Sequence, residues 1–423
     1  MKKPKIVILG GGFAGIECGK ALAKVDADIL LIDRQNHHLF QPLLYQVASA
    51  GLAAPEIAHP IRSIFNDQKN LTVRMAEVTD IDLEKRQVLT EEDEIEYDYL
   101  IIGLGMKTGY FGHEEWRAHA RGLKTLDDAT SIRRDVLLAF EKAEACDEPS
   151  EHEKLMTIAV IGGGPTGVEL AGAFVELARH VLQRDFRHID MDEAKIYLIE
   201  AMPRLLTMYE EDLSDYTRES LEEMGVTVLL DTPVKELREG QVVLGDQVID
   251  AETIVWAAGV EAHPLTKELG VETDRGGRIM VDTDLSIPGH PEAFVVGDLA
   301  HCIDQAGVRV PGLCPAAMQM GKHAAKVIRD EIEEGTRGGY DVRRQFRYFD
   351  KGSMATIGRS RAVAESMGLK FDGFVAWLMW LFIHLMFLVG FRNRIAVMMQ
   401  WFYAYVRYRH GARIITGMSV LRN

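Results

Sequence analysis

The chain has 423 residues, 47% of them apolar, enough for roughly two or three domains with real cores, which excludes a mini-protein or a disordered tail. Its 64 acidic against 48 basic side chains leave a net charge of −16, and no basic repeat interleaved with aromatics marks a nucleic-acid surface. The four cysteines, Cys18, Cys146, Cys302 and Cys314, have neither metal-ligand nor redox-motif spacing, which argues against zinc, an iron–sulfur cluster or a disulfide framework and for a reducing compartment.

Near the N-terminus, Ile6-Val7-Ile8-Leu9 follows lysines as a signal peptide would, but three glycines and then Glu17 interrupt the apolar run. A short β-branched run without alternation predicts a strand buried on both faces of a parallel sheet. It enters Gly10-Gly11-Gly12-Phe13-Ala14-Gly15, then a helix from Ile16 to Val25 and a strand from Asp28 to Ile32 that ends at Asp33. The same order returns in mid-chain: strand Thr157 to Ile161, Gly162-Gly163-Gly164-Pro165-Thr166-Gly167, helix Val168 to about His180, strand Ile196 to Ile199 and Glu200. This is an internal duplication. Further strands are expected at Tyr99 to Ile102, Thr253 to Trp256 and Ala293 to Val296, each ending at a Gly-containing turn, with linkers or exposed loops at Glu144 to Glu153 and Glu331 to Gly339. The alternation predicts an α/β protein with mainly parallel sheets.

A strand–GxGxxG–helix unit binds a dinucleotide: the first glycine permits the turn, the second lets backbone approach the pyrophosphate, the third packs helix on strand, and the helix N-terminus meets the phosphate charge. An acid closing the next strand accepts hydrogen bonds from the adenosine ribose. Asp33 stands 18 residues after Gly15; Glu200 stands 33 after Gly167, the excess falling in a charged insertion around Arg184 to Glu193. An acid there repels a 2′-phosphate and favours NADH, although nearby Arg204 leaves NADPH open. If one dinucleotide is a flavin and the other a nicotinamide, hydride passes between them without a protein nucleophile. Motifs for nucleotide hydrolysis, esterase and zinc-protease chemistry are missing from the sequence.

With Tyr99-Leu100-Ile101-Ile102-Gly103-Leu104-Gly105, Trp256-Ala257-Ala258-Gly259 and Phe294-Val295-Val296-Gly297-Asp298 in this order, the chain resembles the two-dinucleotide-binding-domain flavoproteins, and within them the type II NADH dehydrogenases, single-chain NADH:quinone oxidoreductases that do not pump ions. The resemblance implies two Rossmann-like dinucleotide-binding domains: an FAD domain of residues 1–115 and 260–340, an NADH domain of residues 116–259 inserted in it, and a C-terminal membrane-anchoring region of residues 341–423. It assigns Gly10, Gly12, Phe13, Ala14, Gly15, Asp33, Arg34, Asp298 and Ala317 to FAD, and Gly162, Gly164, Gly167 and Glu200 to NADH. Pro315 to Gly321 opens a helix that in the family points at the flavin, where its dipole favours negative charge. Gln319 matches the second glutamine of the family's AQxAxQ quinone motif; Pro315 and Cys314 replace the first glutamine and first alanine. Glu169 matches a family glutamate placed near the flavin for proton or hydride transfer, and an acid in a first helical turn also suits the dipole without any such role. Pro42, Tyr45 and Gln46 either line the flavin or pack.

The tail has a different composition. From Phe371 onward there is one acid, Asp372, against Arg392, Arg394, Arg407, Arg409, Arg413 and Arg422. Phe374 to Phe391 is an 18-residue apolar run, about 27 Å as a helix and barely enough for a ~30 Å bilayer core. A single span would strand the arginines opposite the cytoplasmic NADH, against the positive-inside tendency. A helix pair lying in the interface fits better, with Trp377, Trp380, Trp401, Phe402, Tyr403 and Tyr405 at headgroup level and part of the first run packed on the body or on a second copy in a homodimer. The expectation is an enzyme on the cytoplasmic face of the inner (plasma) membrane that passes electrons from NADH through FAD to ubiquinone or menaquinone. Two alternatives are a sulfide:quinone oxidoreductase-like flavoprotein and an NADH-binding flavoprotein sensor with slow turnover.

Overall fold

The computed structural model describes residues 3–183, 185–335, 343–407 and 412–415. Five helices position the candidate site: α1 (Phe13–Ala21), α2 (Pro165–Glu176), α3 (Cys314–Glu334), α4 (Gly373–Phe387) and α5 (Phe391–Arg407). The chain divides into two compact units. One takes the residues up to Leu39 with His59–Lys107 and Val260–Lys351; the other takes Phe40–Ala58, Thr108–Gly259 and the residues from Gly352 onward. The tail is therefore packed with the second fingerprint and is not a separate body.

In the first unit a six-stranded sheet runs Ser286–Ile287, His290–Val295, Tyr99–Ile102, Lys5–Leu9, Asp28–Asp33, Leu71–Met75, parallel except at the first pair. Ile6, Val7, Ile8 and Leu9 are all fully buried, as a run without alternation requires. Helices α1 and α3 cross where a Cβ on Gly321 would lie 2.2 Å from the Ala14 carbonyl oxygen, so only glycine permits this approach. Arg343 ties the end of α3 to the sheet: its buried guanidinium meets Asp284 at 2.9 Å and Glu331 at 2.6 Å and donates to the Pro291 carbonyl, while Tyr99 Oη donates to Glu331. Glu331 is thus a buried residue of α3 and not part of a linker. Removing one member would leave an unpaired buried charge, a cost of about 3–5 kcal/mol.

In the second unit a five-stranded parallel sheet runs Arg121–Gly122, Thr253–Trp256, Thr157–Ile161, Lys195–Ile199, Val226–Leu229. Its last four strands repeat the order of the last four in the first sheet, the structural form of the duplication. Behind it α2 packs on the strand Ser353–Gly358, first of an antiparallel sheet completed by Arg361–Ser366 and Leu369–Asp372. A Cβ on Gly172 would fall 1.7 Å from the Ile357 carbonyl oxygen, so this glycine sets the contact. On the strand Arg361–Ser366, Ala362 and Ala364 pack with Ala376 and Trp377 of α4.

Several boundaries differ from expectation. Both fingerprint helices start three residues earlier than their hydrophobic pattern, at Phe13 and Pro165, because the glycine loop itself forms the N-cap and proline suits a first turn. Glu144 to Glu153 is no linker: it holds the end of the helix Leu126–Glu144 and the start of the helix Pro149–Leu155. Of Glu331 to Gly339, α3 takes the part up to Glu334, Gly335 caps it in a left-handed conformation, and residues 336–339 lie outside the described residues. The apolar run Phe374 to Phe391 is not one helix. It ends as α4 at Phe387, turns through Gly390 at φ +89°, and restarts as α5.

Candidate active site

The two phosphate loops agree in detail. Gly10 (φ +100°) and Gly162 (φ +113°) are left-handed, and a Cβ on either would strike the turn after the neighbouring strand, Gly103 O at 2.3 Å or Ala257 and Ala258 at 2.7 Å. A Cβ on Gly15 would sit 1.9 Å from Gly10 O, and one on Gly167 1.8 Å from Gly162 O. Gly12 and Gly164 are different: both are extended at negative φ, and an added Cβ meets no protein atom within 4 Å. The protein itself does not demand glycine there; close approach of a pyrophosphate does. The first α-helical hydrogen bonds, Ile16 N–H to Gly12 O and Val168 N–H to Gly164 O, leave the earlier N–H groups of each helix directed at that position.

Each closing acid reaches back to its loop. Gly11 N–H donates to Asp33 Oδ2 and Gly163 N–H to Glu200 Oε2, while the second oxygens accept from Gln35 N–H and Met202 N–H. Burial holds Asp33 above the ordinary carboxylate value, opposed by the N–H groups of Gln35 and Gly11. Arg34 is exposed beside it. Arg204 is not available to a 2′-phosphate: its guanidinium donates to the Tyr209 and Thr207 carbonyls and to Ser214 Oγ. His38, which sequence reasoning passed over, holds the Gly11 carbonyl at 2.9 Å through Nδ1 and meets Phe13 edge-on; burial pushes its pKa down to about 4, so the ring is neutral at pH 7.

In the first unit Gly297 lies between the first turns of α1 and α3, where its Cβ would stand 3.7 Å from that of Ala14 and 3.5 Å from that of Ala317. Asp298 follows, half-buried, and its carboxylate has no hydrogen-bonding partner among the described residues, as suits a group kept for a ligand's hydroxyls. The donor set fits FAD: an anion-binding helix start, a ribose acid and a ribitol acid, all within one unit. Gln319 also lies on α3, but its amide is clasped to the Phe349 backbone, Nε2 donating to O at 3.0 Å and Oε1 accepting from N at 2.9 Å.

In the second unit Glu169 lies in the first turns of α2, where its carboxyl faces the strand Ser353–Gly358. Burial pushes its carboxyl up to about 8, partly opposed by the Thr356 N–H, 3.4 Å from Oε1, and by the Trp380 indole. Tyr45 is buried edge-on to Trp380 and accepts a hydrogen bond from Gln46, which in turn accepts from Trp401 Nε1 at 2.8 Å. Tyr45 and Gln46 thus link the segment Phe40–Ala58 to Trp380 of α4 and Trp401 of α5 through packing and one hydrogen bond.

A model of the pyridine nucleotide-disulphide oxidoreductase family matches residues 4–321, and one of the NDH2 C-terminal domain matches residues 351–410. The type II NADH:quinone oxidoreductase Ndh of Mycobacterium tuberculosis is 40% identical over 98% of this chain and 91% of its own length. The chain belongs to the type II NADH:quinone oxidoreductases. A Staphylococcus haemolyticus member is 29% identical over 88% of this chain and 92% of its own. The fold matches that of NDH2 from Plasmodium falciparum in complex with NADH, with a TM-score of 0.88 at 20% identity, covering 98% of this chain and all of the other.

Proposed function

We infer that this type II enzyme takes a hydride from NADH and delivers two electrons and two protons to a quinone, NADH + H⁺ + Q giving NAD⁺ + QH₂, without moving ions. The observation that carries this is the pair of matched cradles, one with Asp298 beside it in its unit and one whose helix carries Glu169. Bound FAD supplies the two-electron relay that connects a hydride donor to a quinone. The chain's own residues hold it through Gly10, Gly12, Phe13, Ala14, Gly15, Asp33, Arg34, Asp298 and Ala317, and hold NADH through Gly162, Gly164, Gly167 and Glu200. Glu169 carries an exchangeable proton near neutral pH. Gln319 contacts quinone when its clasp on Phe349 opens.

The membrane reading rests on α4 and α5. No helix among the described residues is long and apolar enough to cross a membrane. Phe374, Val375, Leu378, Phe382 and Met386 of α4 and Ile395, Met398, Met399 and Phe402 of α5 are nonetheless 42–67% exposed, an apolar set suited to lipid, with exposed Arg392 between the two groups in sequence. Trp377, Trp380 and Trp401 do not sit at headgroup level; all three are buried in the protein, since their size is used to pin the helices to the sheet. The Arg407 side chain, Arg409 and Arg422 lie outside the described residues. With its inward face already packed, the outward one takes the cytoplasmic leaflet rather than a second copy. Phe382→Asp with Phe402→Asp should release the enzyme from anionic vesicles; sedimentation unchanged from wild type would refute this.

Purified FAD-loaded protein should consume NADH rapidly only when a ubiquinone or menaquinone analogue is added. Slow, quinone-independent consumption with tight NADH binding would identify a sensor instead. Of the cysteines a sulfide:quinone oxidoreductase would need to carry sulfur, Cys302 is set back by burial, which pushes its thiol up to about 12, as it does that of Cys18.

A further inference from the structure

Both phosphate loops are held at the same backbone points, with one difference in what holds them. Gly10 N–H donates to Ile32 O and Gly162 N–H to Ile199 O, each at 2.8 Å, while Gly11 N–H goes to Asp33 and Gly163 N–H to Glu200. The carbonyl of the middle glycine is where they part. In the second loop Gly163 O accepts from the Leu206 backbone N–H at 2.8 Å; in the first, Gly11 O meets His38 Nδ1 at 2.9 Å. One loop is closed by main chain, which survives a change of side chain, and the other depends on an imidazole.

That carbonyl matters because of the peptide it belongs to. In a trans peptide the C=O of Gly11 and the N–H of Gly12 point to opposite sides. With the oxygen held on His38, the Gly12 N–H is turned away from the ring, and no group among the described residues accepts from it. It is left for the pyrophosphate that the extended, uncrowded Gly12 admits. His38 is well fixed for this task. Its strand, His37–Leu39, pairs with Ala58–Pro60, and alternation along the strand turns His38 inward, 2% exposed, between two half-buried residues. Phe13 of α1 meets the ring edge-on at 5.0 Å. The ring is neutral, and because a carbonyl can only accept, its proton sits on Nδ1.

We propose that His38 is a positioning residue of the flavin cradle: its Nδ1–H fixes the Gly11–Gly12 peptide so that the Gly12 N–H is presented to the FAD pyrophosphate, the part that the Leu206 main chain plays in the other cradle. Flavin retention then depends on one imidazole, and nicotinamide binding does not. This rests on the first cradle holding FAD, and the experiment tells the two ideas apart.

FAD release from the purified, detergent-solubilised holoenzyme is followed by the rise in free-flavin fluorescence, and NAD⁺ affinity by calorimetry on the same samples. Asn places an amide N–H about where Nδ1 stands, Gln places one about where Nε2 stands, and Phe keeps a ring without a donor. His38→Phe and His38→Gln should release FAD about tenfold faster, as expected for a buried carbonyl left without its donor, while His38→Asn, the smallest of the three, should stay near wild type. NAD⁺ affinity should be unchanged in all of them. A role in filling space reverses this order and makes Asn the worst; that order, or equal release from all three, overturns the proposal. If His38→Phe does not fold, the Asn and Gln variants still decide. In wild type the ¹⁵N shifts of the His38 ring should report the proton on Nδ1, and a proton on Nε2 overturns the proposal without any variant. If the series weakens NAD⁺ in the order expected of an Nδ1 donor and leaves FAD in place, His38 still positions its loop, and it is the reading of the first cradle as the flavin site that falls.

Discussion

The two phosphate loops are near copies, while the helices that rise from them are packed in unlike ways. Behind the first loop, α1 lies against α3 through Gly321 and Ala14, which brings a second helix start and Asp298 beside the cradle. Behind the second, α2 lies against an antiparallel sheet through Gly172, and its carboxylates Glu169 and Glu176 face that sheet. Two loops of the same backbone geometry thus make a general dinucleotide site; what covers the helix behind the loop decides whether a second helix start and Asp298 stand beside it or carboxyls face a sheet.

The sharpest way to break this comparison is at the third glycines. Gly15→Ala should yield protein without flavin absorbance, because its Cβ overlaps Gly10 O, while Gly167→Ala should keep flavin and lose NADH affinity by about 10- to 100-fold, following the ~1–3 kcal/mol of overpacking. Loss of both ligands in either variant would show that the cradles are not independent. Next, Gly172→Ala should push the strand Ser353–Gly358 off α2, costing a similar ~1–3 kcal/mol of stability, read as a lower Tm, and weakening vesicle binding while flavin is retained. Retained vesicle binding would deny that α2 anchors the lipid-facing module.

A smaller effect is expected from Glu200→Gln. With one charge-assisted acceptor weakened, KM for NADH should rise by about tenfold with flavin content unchanged, consistent with ~1.5 kcal/mol. Unchanged NADH kinetics would reject its role at the ribose. The smallest effect concerns stability. Since burial raises Glu169 to about 8, its contribution is fully present below the ordinary carboxylate value near 4.5 and is lost as pH rises through 8. Wild type should therefore lose Tm more steeply than Glu169→Gln between about pH 4.5 and 8, with the two curves parallel above that, and parallel curves throughout would place Glu169 in a less buried setting.

Much of the architecture could be read along the chain. A β-branched run, a glycine spacing and a closing acid each concern a few adjacent residues, and Gly10, Gly15, Gly162 and Gly167 are where local backbone geometry demands them. Glu331, Trp380 and Gln319 were harder to read. Nothing near Glu331 announces Arg343 as its buried partner, and a tryptophan in an apolar run suits a membrane interface as well as a core.

The sequence alone determined the two dinucleotide cradles, their acids and the duplicated strand order, because spacing within about thirty residues dictates turn, helix start and strand end. Only the tertiary structure decided that Arg204 is committed to carbonyls, that Gln319 is clasped, that the apolar run breaks into two helices, and that Glu169 meets the Thr356 N–H. Burial and titration depend on which distant segments share a surface, and no local pattern encodes that.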